Sequence, residues 1–237
     1  DFSRSRGLGD VYKRQFKFTS DMSVEDAETL AKNLGIRHSV IPIGDIYNSF
    51  QTSLEKEFEG LDRDITEENL QSRCRGVILM ALSNKSGELV LTTGNKSETA
   101  VGYSTLYGDT AGGFGVLKDV PKTLVYELSK YRNTISEVIP ERIITRPPSA
   151  ELAPDQQDSD SLPDYDTLDK IIELYVEQDK SKLEIEEFGF EKVVLDRVIR
   201  LIDLSEYKRR QAPLGVKITS RGFGKDRRYP ITNKFLK

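Results

Sequence analysis

The residues with the most chemistry to offer follow a short apolar stretch. Leu89-Val90-Leu91-Thr92-Thr93 empties into Gly94-Asn95-Lys96-Ser97-Glu98, then into Thr99-Ala100-Val101-Gly102-Tyr103-Ser104-Thr105-Leu106-Tyr107-Gly108-Asp109. Hydroxyls, a glycine, a lysine and a carboxylate at the end of a buried strand are what an α/β sheet uses to hold a nucleotide at its carboxyl edge. The Thr93 hydroxyl and neighbouring N–H groups suit such a ligand. Glu98, on the next turn, suits Mg²⁺ against phosphates, because that ion takes hard oxygen ligands. The same letters also spell a turn in which Asn95 or Ser97 caps a helix, and local sequence leaves both readings open.

Other candidates are weighed the same way. Asp155, Asp158 and Asp160 lack the glycine and terminal glutamate of a calcium loop, which favours a solvated loop. Lys208-Arg209-Arg210 suits a phosphate or carboxylate clamp, or a helix end whose dipole favours cations. Cys74 falls on an apolar helix face and reads as packing rather than as a nucleophile. His38 opens a strand with no evident partner and reads as structural. Arg146-Pro147-Pro148-Ser149-Ala150-Glu151-Leu152 is stiffened by its prolines and offers Ser149 to a phosphate.

These groups need elements to hold them. Ser23 starts a capping-box-like helix with Val24, Ala27, Leu30, Ala31 and Leu34 on one stripe, closed by Gly35. Ser39 to Ile43 reads as a strand. Ile46, Phe50, Leu54 and Phe58 are spaced for a second helix. Leu70, Cys74, Val77, Ile78, Ala81 and Leu82 mark a third, with Thr66 as its cap. Glu88 to Thr93 is the next strand. Gly112, Gly113 and Gly115 make a close-approach loop before a helix starting at Asp119-Val120-Pro121. Residues 146–165 are loop-like. Two amphipathic helices follow, one around Leu168, Ile171, Ile172, Tyr175 and Val176, the other around Val194, Val198, Leu201 and Ile202. This alternation predicts an α/β fold with a parallel sheet.

The 237 residues suffice for one large domain or two small ones. No apolar run approaches the ~20 residues of a membrane span. One cysteine excludes an internal disulfide and fits a reducing cytoplasm. One histidine weighs against multi-histidine metal sites and serine–histidine triads. The net charge of −4 hides an asymmetry: 16 acidic and 6 basic residues from 150 to 204, then 2 acidic and 10 basic from 205 to 237. Either the two segments neutralise each other, or the basic tail binds an anion. A nucleotide suits it better than nucleic acid, since the whole chain is acidic and lacks interleaved aromatics. Residues 1–15 carry two glycines and four arginines or lysines with no apolar period. They read as a non-native leader outside the fold.

Asn69-Leu70-Gln71, Leu91 to Glu98, Tyr107-Gly108-Asp109, Arg146 to Leu152 and Tyr207-Lys208-Arg209-Arg210-Gln211-Ala212-Pro213 occur together and in order. Together they closely resemble the synthetase domain of glutamine-dependent NAD⁺ synthetases, from about Phe16 to the carboxyl end. The resemblance implies a Rossmann-like parallel sheet flanked by helices, of the adenine nucleotide alpha hydrolase (ATP-pyrophosphatase) kind. It implies ATP-dependent adenylation of deamido-NAD⁺, then attack by ammonia to give NAD⁺ and AMP, with Mg²⁺ offsetting charge. By motif, Thr93, Lys122 and Ser149 would meet ATP. Asn69, Glu98, Tyr103, Ser104, Thr105, Leu106 and Lys208 would meet deamido-NAD⁺, with Glu98 also on the metal. No residue is singled out as catalytic acid or base. Relatives that use free ammonia carry a lysine where this chain has Leu106.

Two departures stand out. The family's Ser-Gly-Gly-x-Asp-Ser phosphate loop, which follows the domain's first strand, does not occur in the sequence, nor does a glutaminase domain. Residues 16–237 therefore read as an incomplete synthetase domain, lacking the first strand and phosphate loop, with a basic tail at 205–237. The expected setting is cytoplasmic, in a homo-oligomer, with no nucleic acid or membrane partner. The alternative is a truncated, inactive nucleotide-binding fragment or dimerisation module of the same family.

Overall fold

The computed structural model describes residues 11–15, 20–153 and 156–232. In chain order the elements begin β1 (Val11–Gln15), α1 (Asp21–Leu34), β2 (His38–Pro42), α2 (Gly44–Leu54), α3 (Ile65–Ser86), β3 (Leu91–Thr92) and α4 (Lys96–Val101). They continue β4 (Phe114–Gly115), α5 (Lys122–Ile135), α6 (Glu141–Thr145), α7 (Tyr165–Ile172), a π-helical turn (Glu173–Glu177), α8 (Lys182–Glu186), α9 (Lys192–Leu204) and α10 (Glu206–Arg209). The chain divides into two compact units. One comprises the described residues of 1–74 and 126–158, the other those of 75–125 and 159–237.

In the first unit β1 pairs in parallel with β2, Val11 opposite His38 and Gln15 opposite Pro42. Of the residues read as a leader, 1–10 lie outside the described residues, and 11–15 form this strand. Backbone pairing needs only N–H and C=O groups, so an apolar period need not announce it. The start of α1 is corrected. Its cap is Ser20, whose side chain accepts from Ser23 N, and Gly35 closes the helix at φ 66°. For α3 the capping oxygen belongs to Asp64, which accepts from Thr66 N at 2.7 Å while Glu67 reaches back to Asp64 N at 2.9 Å. In α2 the expected stripe is only partly inward: Tyr47 is buried, whereas Ile46 and Phe50 are exposed. Cys74 is buried, as its apolar surroundings suggested.

The second unit holds the larger core. Leu168, Ile171, Leu174, Val176, Leu195, Val198 and Ile202 of α7, the π-turn and α9 pack against Ala100 and Val101 of α4. Apolar residues recur on one face of α7 and of α9 at helical spacing, and that face is the buried one. β3 pairs in parallel with β4, Leu91 opposite Phe114 and Thr92 opposite Gly115. The strand expected over Glu88–Thr93 is thus only two residues long. Val90 still accepts from Gly113 N at 2.9 Å. Among the described residues both strand pairings are parallel, as the helix–strand alternation predicted.

Candidate functional site

The site begins where β3 ends. Asn95 caps α4: its side chain accepts from Glu98 N at 2.9 Å, and Glu98 Oε2 accepts from Asn95 N at 3.3 Å, a complete capping box. The capped-turn reading therefore describes the backbone correctly, and it does not compete with a functional one. The box fixes the Glu98 carboxylate at the first turn, with Oε1 3.4 Å from Lys122 Nζ. Lys122 also lies over the Tyr165 ring, 5.4 Å from its centre.

The far end of α4 shapes the opposite wall. Gly102 closes the helix at φ 69°, and a Cβ there would lie 2.3 Å from Ser205 Oγ, so only glycine admits the start of α10. That approach brings in Lys208, whose Nζ donates to Gly102 O at 2.6 Å and Ser104 O at 2.7 Å. Burial pulls the Lys208 ammonium below its ordinary pKa, and the Asp109 charge opposes this. Asp109 Oδ1 accepts from Thr105 N at 2.6 Å and holds the intervening turn. Solvent reaches Asp109, yet protein surrounds it closely. Desolvation pushes its carboxyl up, the backbone donors oppose this, and the Glu98 charge adds to the rise.

Thr93, Glu98, Tyr103, Ser104 and Lys208 line one pocket, five of the residues singled out from the sequence. Lys122 stands beside it through Glu98. Thr105 is buried behind the wall, and neither it nor half-buried Leu106 is part of the lining. Asn69 and Ser149 belong to the other unit. There the Ser149 hydroxyl accepts from Glu151 N at 3.1 Å and donates to Gln156 O. Thr92, Thr99, Asp109, Thr110 and Lys118 also line the pocket and had been given no role. Asp109 was legible, since Tyr107-Gly108-Asp109 stood in the quoted motif. Nothing in the sequence pointed to Lys118.

One part of the opening motif is corrected. Lys96 is no nucleotide ligand: its side chain is fully buried, and Nζ meets Glu177 at 2.8 Å, Asp119 at 3.1 Å and Arg221 O at 3.0 Å, as well as Thr219 Oγ1. Asp119 in turn accepts from Ile218 N and Thr219 N, each at 2.8 Å. The tail is thereby fastened to the base of α4. Nor do Arg209 and Arg210 form an open clamp. Arg209 is buried against Glu206, Ala100 O and Ile202 O, and Arg210 pairs with Glu206 at 2.9 Å. Part of the charge asymmetry resolves as mutual neutralisation, with Asp179 holding both Arg221 and Arg227.

Comparison with known proteins gives this pocket its context. The family model described as NAD synthase matches residues 15–212. A protein of Acinetobacter baylyi named glutamine-dependent NAD(+) synthetase is 59% identical over 220 residues, covering 92% of this chain and 41% of that protein. A solved glutamine-dependent NAD⁺ synthetase from Acinetobacter baumannii, in complex with ADP, is 51% identical with a TM-score of 0.56, covering 94% of this chain and 40% of its own. A Cytophaga hutchinsonii structure of the same name, 24% identical, shares the fold with a TM-score of 0.75 over 94% of this chain and 38% of its own. The chain thus spans about two fifths of these relatives' length. It has their Rossmann-like, adenine nucleotide alpha hydrolase fold. With 198 consecutive residues under one family model, the chain belongs to the NAD synthase family.

Proposed function

We propose that this chain is the synthetase part of an enzyme that makes NAD⁺ by ATP-dependent amidation of deamido-NAD⁺. The observation that carries the reading is the gathering of Thr93, Glu98, Tyr103, Ser104 and Lys208 around one pocket in a chain of this family. In the first step a carboxylate oxygen of deamido-NAD⁺ attacks the α-phosphorus of ATP, and the bond to the β-phosphate breaks, releasing pyrophosphate. In the second, ammonia attacks the acyl carbon, AMP leaves with the bonding pair, and the nitrogen loses a proton. Adenylation is needed because a free carboxylate is a poor electrophile.

Thr93, Lys122 and Ser149 are assigned to ATP in this reading. Asn69, Glu98, Tyr103, Ser104, Thr105, Leu106 and Lys208 are assigned to deamido-NAD⁺. The donor set suits Mg²⁺, which takes one or two carboxylates and completes its shell with phosphate oxygens and water. Glu98 and Asp109 line the same pocket, and the rise at Asp109 has burial as its largest cause with the Glu98 charge adding to it. A cation between them would relieve that repulsion. When bound, Mg²⁺ neutralises phosphate charge and eases departure of pyrophosphate.

The reading extends to a longer protein in which a glutaminase domain supplies ammonia from glutamine, supported by the names and lengths of the relatives. It includes a cytoplasmic homo-oligomer. The lone Cys74 and the exposed Val77, Met80 and Tyr107 support those two features. Among the described residues no helix is long and apolar enough to cross a membrane. Incubating the chain with ATP, Mg²⁺, deamido-NAD⁺ and ammonium chloride should yield NAD⁺, AMP and pyrophosphate in equal amounts. Binding of deamido-NAD⁺ without these products, or no binding, would overturn the reading.

A further inference from the structure

Three cations line the pocket, and they differ in how their charge is met. Arg209 has Glu206 at 3.1 Å and donates to two backbone carbonyls. Lys208 donates to two carbonyls and faces the Asp109 charge. Lys118 donates to Pro213 O, and among the described residues no carboxylate stands within ion-pair distance of it. Its neighbour Asp119 is committed elsewhere, to Lys96 and to the backbone and hydroxyl of the tail. An ammonium has three donors, so Lys118 holds two in reserve.

The stem of Lys118 is fixed by the fold. It sits on the turn between β4 and α5, where Lys118 N donates to Gly115 O and Val120 N to Leu117 O. The tail crosses directly over this turn: Gly115 N donates to Leu214 O at 2.7 Å. A Cβ on Gly215 would lie 2.4 Å from Gly115 O and 2.8 Å from Lys118 Cβ, and one on Gly115 would lie 3.3 Å from the same Cβ. Two glycines thus make room for one lysine stem, and the lysine lines both this pocket and the groove beneath the tail. Burial is the one cause acting on its ammonium and pulls its pKa down, which marks a cation whose counter-charge is not supplied by the protein.

We propose that Lys118 contacts the ligand directly, its ammonium taking an anionic oxygen of the dinucleotide held by Glu98, Tyr103, Ser104 and Lys208 in the same pocket. This rests on the proposed function and adds to it a residue that the family motifs did not nominate. The oxygen belongs either to the nicotinate carboxylate or to a phosphate, and two ligands separate these sources. Deamido-NAD⁺ carries both groups, whereas NAD⁺ carries the phosphates and an uncharged amide.

The test is calorimetric binding of each dinucleotide to the unsubstituted chain, Lys118→Met and Lys118→Arg. Lys118→Met should weaken deamido-NAD⁺ binding about ten- to a hundred-fold, the range of a charge-assisted hydrogen bond, and Lys118→Arg should restore much of it. An equal loss for NAD⁺ assigns the contact to a phosphate, and a loss confined to deamido-NAD⁺ assigns it to the carboxylate. Unchanged affinity for both in a folded Lys118→Met overturns the inference and leaves the proposed function standing. Failure of the unsubstituted chain to bind either ligand overturns both. Should Lys118→Met not fold, acetylation of the unsubstituted chain read by mass spectrometry decides the matter. Deamido-NAD⁺ should slow modification of Lys118 at least five-fold, and no protection overturns the contact.

Discussion

Replacing Lys96 with methionine removes the centre of the buried charge cluster while keeping most of its volume. The lysine side chain is wholly buried, and its partners Asp119 and Glu177 are only 6% and 13% exposed. Breaking a buried ion pair from one side costs about 3–5 kcal/mol, because the abandoned charge stays in a poorly solvating place. Here Asp119 keeps two backbone N–H donors and the Thr219 hydroxyl, and Glu177 keeps Ser220. The loss should therefore fall near the lower end, about 3 kcal/mol at neutral pH. Urea unfolding followed by circular dichroism would read it as a lower midpoint at unchanged slope. The pH dependence adds a second constraint. Burial works to raise the Asp119 carboxyl, but Thr219, Ile218 and Lys96 outweigh it and hold the folded pKa below the ordinary 3.8. Its contribution is complete above that ordinary value and disappears as the pH falls through the lower, folded one. The two urea curves should consequently approach each other as the pH falls through the lowered Asp119 pKa, where a protonated Asp119 no longer neutralises Lys96. A neutral-pH loss under about 1 kcal/mol, or a gap that persists in acid, would refute a load shared by this cluster.

Asn95→Ala should cost about 1 kcal/mol, the usual worth of an N-cap, seen as a lower melting temperature. Gly102→Ala combines a φ of 69° with a Cβ 2.3 Å from Ser205 Oγ. It should displace α10, lower the melting temperature and weaken deamido-NAD⁺ binding together, so a loss of stability with unaltered binding would contradict the account of Lys208. Glu98→Ala should abolish NAD⁺ formation while leaving the circular dichroism spectrum intact; a near-normal rate would remove Glu98 from the site.

The helices were largely legible, because their buried faces repeat every three to four residues within a single element. Val198 and Ile202 needed only each other's spacing to announce a core face. Caps were read less well: Ser20 and Asp64 take the places expected of Ser23 and Thr66, since several polar residues stand near each helix start and only backbone geometry chooses among them. The pocket was read through a chain of motifs, and five of its lining residues were named from them. Lys96 and Lys118 were not readable, and for one reason. Their environments are made by Glu177, Pro213, Thr219 and Arg221, which lie 81 to 125 positions away. A lysine beside a glycine, an asparagine and a serine looks like a phosphate ligand until distant residues enclose it.

The fastening of the tail to α4 has a consequence for the order in which the protein is made. Synthesis delivers residues 91–98 long before residues 212–221, and domains fold as their chain emerges. Until the tail arrives, Lys96 lacks two of its contacts and the pocket lacks the wall formed by Ala212 and Pro213. The segment 91–98 is thus complete in sequence well before its surroundings are complete in space, and the later segment 212–221 closes the pocket.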